Sequence, residues 1–212
     1  MNLQKTFIFK IKESFSKDNF FVSNSNKLAH KQILTSNNSF QFLYLKGPLK
    51  SGKTHLGTIW QKNNRAIRFN YKKFDEIINS NQNIFIDNLF FKLNEEKIFH
   101  LINHIFNNNL NILITSDKFP NEYKFNLEEL SSRLKSFNLL QIFNPDDDLI
   151  LNLLLKLLYD RQIYINNDEV IYYIIKRINR TYIDIYNLIE KIDTLSLSRK
   201  REITIPLIKE LL

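Results

Sequence analysis

The sequence predicts an α/β layer built on a five-stranded parallel sheet, followed by a small all-helical domain. Short apolar runs alternate with helix-compatible segments between residues 42 and 143, the pattern of a parallel sheet whose crossovers are helices. One strand-to-helix junction holds Gly47-Pro48-Leu49-Lys50-Ser51-Gly52-Lys53-Thr54, a GxxxxGK[ST] loop in the setting that motif requires. After Asn144-Pro145-Asp146-Asp147-Asp148 the strand pattern stops and apolar residues recur at helical spacing. The expected boundaries are an extended arm over 1–17, the α/β domain over 18–144 and the helical domain over 145–212.

Taken in order, Ser23, Asn24 and Ser25 are candidate N-caps for a helix running through about Leu34. Phe42-Leu43-Tyr44-Leu45 reads as a buried strand feeding the glycine loop, with a helix over 55–61 after it. Ala66-Ile67-Arg68-Phe69-Asn70 is the second strand, and a short helix covers 74–79. Asn83-Ile84-Phe85-Ile86-Asp87-Asn88 is the third, apolar until its end, as expected where both faces of a parallel sheet are covered. An amphipathic helix over 94–107 places Ile98, Leu101, Ile102 and Ile105 on one face. A fourth strand over 111–117, a helix over 127–136 carrying Arg133 and a fifth strand over 139–143 complete the layer. In the helical domain, Pro145 and three aspartates open a helix containing Ile150, Leu151, Leu154, Leu155 and Leu158. Helices over about 168–177 and 181–195 follow, and a last short one begins after Thr204-Ile205-Pro206.

At 212 residues and 43% hydrophobic content, the chain suits one large or two small packed domains rather than wholesale disorder. Its net charge of +8 has two readings: a polyanionic partner, or a surface drifted toward Lys by AT-rich coding. With no cysteine, disulfides, Cys-ligated zinc and thiol chemistry are excluded. No stretch approaches the roughly 18 consecutive apolar residues of a membrane span. The N-terminus mixes lysines with its apolar residues and lacks a small-residue cleavage site, so a cytoplasmic location is expected.

The glycine loop carries the chemistry. Its backbone N–H groups and the positive end of the following helix suit phosphates. Lys53 is placed to reach the β- and γ-phosphates of ATP or ADP, and the Thr54 hydroxyl to ligate Mg²⁺. The chain has three glycines and two, Gly47 and Gly52, sit at the required positions, so general glycine richness did not produce the match. Asp87, at a strand's carboxyl end, either holds Mg²⁺ or simply closes the strand. Asn88 follows where a proton acceptor would be needed, and Asn accepts no proton at neutral pH. Hydrolysis by this chain is therefore expected to be slow or absent. His100 and His104 have i, i+4 spacing, but Leu101 stands where the acid of a zinc HExxH motif belongs; they read as solvated or packing residues. Near the start, Gln4, Phe7 and Phe9 form either an edge strand or a peptide for a partner's pocket.

A phosphate loop, an acid-ended strand, a polar-ended strand and an Arg-bearing helix ahead of a helical lid resemble an AAA+ ATPase. Asn19-Phe20-Phe21-Val22, Gly52-Lys53-Thr54-His55-Leu56, Ile114-Thr115-Ser116-Asp117 and Leu130-Ser131-Ser132-Arg133-Leu134 are similar to motifs of the DnaA-like family. Ile86-Asp87-Asn88 and the closing Glu202-Ile203-Thr204-Ile205-Pro206-Leu207 resemble its Hda branch of regulatory inactivators. The resemblance implies an adenine pocket at Phe21 and Val22, and a nucleotide held by residues 47–55 with Asp117 and Arg180. Arg180 or Arg177 is put forward because Ile183 occupies the expected sensor 2 position. It further implies that Arg133 is an arginine finger and that Gln4, Phe7 and Phe9 bind the sliding clamp, the β subunit of DNA polymerase III. Arg133 also has the plain alternative of a surface salt bridge. The implied activity is stimulation of ATP hydrolysis by DnaA in trans, with DNA met through the clamp and room for a homo-oligomer. The sequence stops at Leu212, without the helix-turn-helix domain that follows the lid in DnaA. The alternative is a DnaA-type initiator or helicase-loader-like ATPase that binds single-stranded DNA directly.

Overall fold

The computed structural model describes residues 20–35, 42–89, 94–165, 167–199 and 203–212. Described residues up to Asn144 form one compact unit and those from Pro145 onward another. The expected arm, with Gln4, Phe7 and Phe9, lies outside the described residues.

The first unit runs α1 (Lys27–Thr35), β1 (Phe42–Lys46), α2 (Lys53–Asn63), β2 (Ile67–Arg68), α3 (Phe74–Ser80), β3 (Ile84–Ile86), α4 (Glu95–Asn107), β4 (Ile112–Ser116), α5 (Glu128–Lys135) and β5 (Asn138–Gln141). The five strands are parallel, in the order β2-β3-β4-β1-β5. The connection leaving β1 goes to one edge of the sheet and that leaving β4 goes to the other. The crevice at the carboxyl ends of β1 and β4 is therefore the switch point where open α/β sheets take ligands.

Alternation along each strand sorts the core. Ile84, Ile86, Ile112 and Ile114 join Ile98, Leu101, Ile102 and Ile105 of α4 and Leu130 and Leu134 of α5 in one buried cluster. Phe85 points the other way, toward α2, where Gly57 leaves no room: a Cβ there would fall 2.1 Å from Phe85 Cζ. Asn94 caps α4 by accepting from Lys97 N at 2.9 Å, with Glu95 and Glu96 in the first turn, where carboxylates favour the helix dipole.

β2 to β5 are shorter than the runs that announced them, while β1 extends one residue further, to Lys46. β2 pairs over two residues; Phe69 N still donates to Phe85 O at 2.8 Å, and Asn70 then caps a 3-10 turn over Tyr71–Lys73. β5 ends at Gln141 because Ile142 N makes one more bond to Lys46 O and Phe143 N turns to Ser25 O. α1 begins at Lys27, after the residues expected to cap it; Ser23–Asn26 is instead a turn in which Asn26 bonds back to Ser23 N and Phe21 O.

The second unit is all-helical among its described residues: α6 (Asp147–Asp160), α7 (Asp168–Arg177), α8 (Tyr182–Arg199) and α9 (Ile205–Leu211). The starts of α6, α7 and α8 each have a polar reason. Asp146 accepts from Leu149 N at 2.9 Å, Asn167 accepts from Glu169 N at 2.8 Å, and Thr181 exchanges hydrogen bonds with Asp184. The faces so aligned bury Ile150, Leu154, Ile174, Ile185, Ile189 and Ile192 together. Among the described residues no helix is long and apolar enough to cross a membrane.

Candidate functional site

The loop after β1 is fastened at both ends. Gly47 N donates to Ser116 O of β4 at 3.1 Å. At Gly47 a Cβ would fall 2.8 Å from Ser51 Oγ and 3.0 Å from Ile142 Cβ. Gly52 precedes α2 at φ +88°, a conformation glycine adopts without steric cost. Its open side is filled by the Phe20 ring, 3.0 Å from where a Cβ would stand. Lys53, the first residue of α2, is buried and folds back over the loop, donating from Nζ to Gly47 O and Pro48 O at 2.7 Å each. Burial lowers its pKa from the ordinary lysine value, while the negative charges of Asp117 and Asp87 oppose that shift. Ser51 Oγ is buried inside the loop without a hydrogen-bond partner.

Asp87 stands just past β3, beside the ends of β4 and α2. The Thr54 hydroxyl lies 3.1 Å from both carboxylate oxygens, and Thr115 Oγ1 donates to Oδ1 at 2.7 Å. Arg68 Nη2 pairs with Oδ2. Thr115 also accepts from Asn88 N at 2.9 Å, and Leu89 N donates to Thr115 O at 2.9 Å. These bonds draw the end of β3 onto β4 and hold Asn88 at φ +59°, a left-handed conformation for which Asn is suited.

The other residues expected at the site fall as follows. Leu49 is 53% exposed and Lys50 takes φ +64° at the loop's turn, while His55 meets the Phe20 ring edge-on at 5.4 Å. Phe21 is half-buried and Val22 exposed. Phe20, which sequence reasoning passed over, is the ring that packs on the loop, stacked on His30 at 5.5 Å. Asp117 is half-buried and its charge acts on Lys53. Arg133 is exposed in the last turn of α5, its guanidinium 5.2 Å from the Phe106 ring centre. The start of α5 is set by Glu95, which accepts from Leu127 N at 2.7 Å. Within the helical unit, Arg180 pairs with Asp147 at 3.0 Å, Arg177 lies over the Tyr173 ring and Ile183 is partly exposed.

These donors fit a phosphate. Ser51 offers an unmet hydroxyl and Lys53 a cation, and the N–H groups opening α2 have no partner within the helix. Thr54 and Asp87 are hard oxygen donors of the kind magnesium takes, although Arg68 already occupies one side of the carboxylate.

The parallel order β2-β3-β4-β1-β5, the loop after β1, the acid past β3 and the helical unit that follows define a P-loop AAA+ protein with a helical lid. Residues 151–212 match the family model described as Hda, lid domain. The chain is 28% identical to the chromosomal replication initiator protein DnaA of Buchnera aphidicola subsp. Cinara cedri, over 100% of this chain and 55% of that protein. It thus spans about half the length of the curated relatives it matches. Domain III of the Thermotoga maritima DnaA superposes with a TM-score of 0.77 at 18% identity, covering 96% of this chain and 98% of that one. A replication initiator DnaA bound to AMPPCP and single-stranded DNA superposes with a TM-score of 0.69 at 19% identity, covering 88% and 68%. The chain is thus similar in sequence to DnaA and, over residues 151–212, to the Hda lid model, and it has the AAA+ fold.

Proposed function

We propose that this protein binds ADP or ATP as a structural ligand and regulates replication initiation by acting on DnaA. The observation that carries the proposal is an intact phosphate loop beside Asn88, which stands where a proton acceptor would be needed for hydrolysis. Lys53, the Ser51 hydroxyl and the first N–H groups of α2 hold the phosphates; Thr54 and Asp87 are the oxygen donors that would take Mg²⁺ where it binds, in competition with Arg68, and it would supply further positive charge. Phe20 closes the loop, with Phe21 and Val22 toward the base. Gln4, Phe7 and Phe9 tether the protein to the DNA-loaded clamp. Arg133 then enters the nucleotide site of a DnaA molecule carrying ATP and places its guanidinium where charge develops on the γ-phosphate. Arginine fingers of this kind are worth about 10³–10⁵ in rate. Arg133 suits the role because it is exposed and its neighbour is a ring rather than a carboxylate.

The test is ATP hydrolysis by DnaA mixed with this protein, ADP and DNA-loaded clamp. Acceleration is expected, lost when the clamp is omitted, when residues 1–9 are deleted or in Arg133→Ala. Acceleration retained by Arg133→Ala contradicts the finger assignment. A second reading, direct binding of single-stranded DNA, is favoured by the +8 charge and by the DnaA solved with such a strand. It predicts oligonucleotide binding that weakens steeply with salt and needs no clamp.

A further inference from the structure

We infer that Arg68 acts as a built-in counter-ion to Asp87, so that this site holds nucleotide with little dependence on a divalent metal. The inference rests on the nucleotide-binding reading above and concerns a residue which that reading does not use.

Sequence and register produce the arrangement. Arg68 pairs in register with Phe85 across β2 and β3, and Asp87 lies two residues beyond Phe85. Residues two apart on a strand share a face, so Arg68, Phe85 and Asp87 line the same side. The guanidinium lies 5.5 Å from the Phe85 ring centre and pairs with Asp87 Oδ2. Its flat, delocalised charge suits both contacts at once. Phe85 is itself fixed, fully buried against Gly57.

Both carboxylate oxygens have partners as a result, the one Thr54 hydroxyl proton being shared between them. Oδ1 receives Thr115 and Thr54, and Oδ2 receives Thr54 and Arg68. The Asp87 side chain is 14% exposed, so its charge is poorly screened by water. In a phosphate-binding loop such an acid is normally tolerated beside the phosphates because a metal stands between them. Here a guanidinium already neutralises it from the side of β2. The Arg68 side chain is 50% exposed, so a metal approaching Asp87 competes with a cation tethered to the same sheet.

The measurement is calorimetric titration of ADP into the full chain, in Mg²⁺ and then in EDTA, for the unsubstituted protein, Arg68→Ala and Arg68→Gln. The unsubstituted protein should lose less than about threefold in affinity on chelation, and each variant at least about tenfold, a difference above 0.7 kcal/mol. Titration of Mn²⁺ into the ADP complex, followed by electron paramagnetic resonance, should show tighter metal binding in the variants. A half-exposed Arg leaves folding intact, and matching melting curves without ADP check this. Equal dependence on metal in all three proteins overturns the inference while leaving nucleotide binding standing. No ADP binding in Mg²⁺ overturns the nucleotide reading, and the role of Arg68 with it.

Discussion

The two units solve different problems. Among the described residues, every buried polar or charged side chain (Ser25, Asn26, Ser51, Lys53, Thr115 and Ser116) lies in the α/β unit. The buried cluster of the helical unit consists of Ile, Leu and Val alone. The α/β unit also holds all three glycines. Of the described non-glycine residues at positive φ, five fall there (Lys50, Arg65, Asn81, Asn88 and Asn109) and one, Gln162, in the helical unit. Buried polar groups and left-handed backbone cost free energy unless something meets them. Arg65, Asn81 and Asn109 merely follow helix ends, but Ser51, Lys53, Thr115 and Ser116, with Lys50 and Asn88, gather at one loop and one carboxylate, where the fold gives up packing for chemistry. In the helical unit, among the described residues, left-handed backbone is confined to Gln162, just past the end of α6.

That contrast can be broken from either side. Leu154→Ala in the helical unit should lower unfolding stability by about 2–5 kcal/mol, the cost of a cavity in a close-packed aliphatic core. Urea denaturation reads it, and a loss under 1 kcal/mol would mean a loosely packed unit. In the α/β unit the sharper experiment is Gly57→Ala. Replacing a mid-helix glycine normally gains about 1 kcal/mol, yet the Phe85 ring stands 2.1 Å from the new Cβ. A net loss of about 1–3 kcal/mol from overpacking is expected, and a gain would show that Phe85 can yield.

Thr115→Val probes the polar side. It removes the hydroxyl that bridges Asn88 N–H to the Asp87 carboxylate, and should cost about 1–3 kcal/mol for groups left unmet. The smallest effect concerns pH. Burial raises the pKa of Tyr44 well above its ordinary 10.0, with the hydroxyl donating to Lys118 O at 2.8 Å. The unfolded chain releases that proton first, so stability is complete below about pH 10 and falls as pH rises further. Tyr71, also raised by burial, acts in the same direction, and Lys53, lowered by burial, acts against it. The decline above pH 10 should be shallower in Tyr44→Phe, read by thermal melts across that range.

Sequence pattern located the features that depend on local order. The five strands were legible because short, mainly apolar runs alternate with helix-compatible segments, and the lid helices because Ile and Leu repeat at helical spacing after Pro145. Thr54 and Asp87 were expected at one Mg²⁺ and lie 3.1 Å apart, whereas Thr115, which donates to Asp87, was not foreseen there. What escaped depends on register and on distant packing. Nothing in Ala66–Asn70 says that Arg68 will face Asp87, because that needs the Arg68–Phe85 pairing. Phe20 rather than Phe21 meets the loop because the turn over Ser23–Asn26 fixes the chain's direction ahead of α1. Strand ends were overrun because side-chain caps and single hydrogen bonds, as at Asn70 and Phe143, stop a strand before its apolar run does.

The central claim is that the loop holds nucleotide without turning it over. Incubating the purified chain with radiolabelled ATP, then measuring both bound nucleotide and released phosphate, tests it most directly. The account predicts stoichiometric binding that Lys53→Ala abolishes, with no phosphate release above the uncatalysed rate. Steady multiple turnover by the chain alone would contradict it, because Asn88 would then have to be compensated by a proton acceptor that this site does not assign.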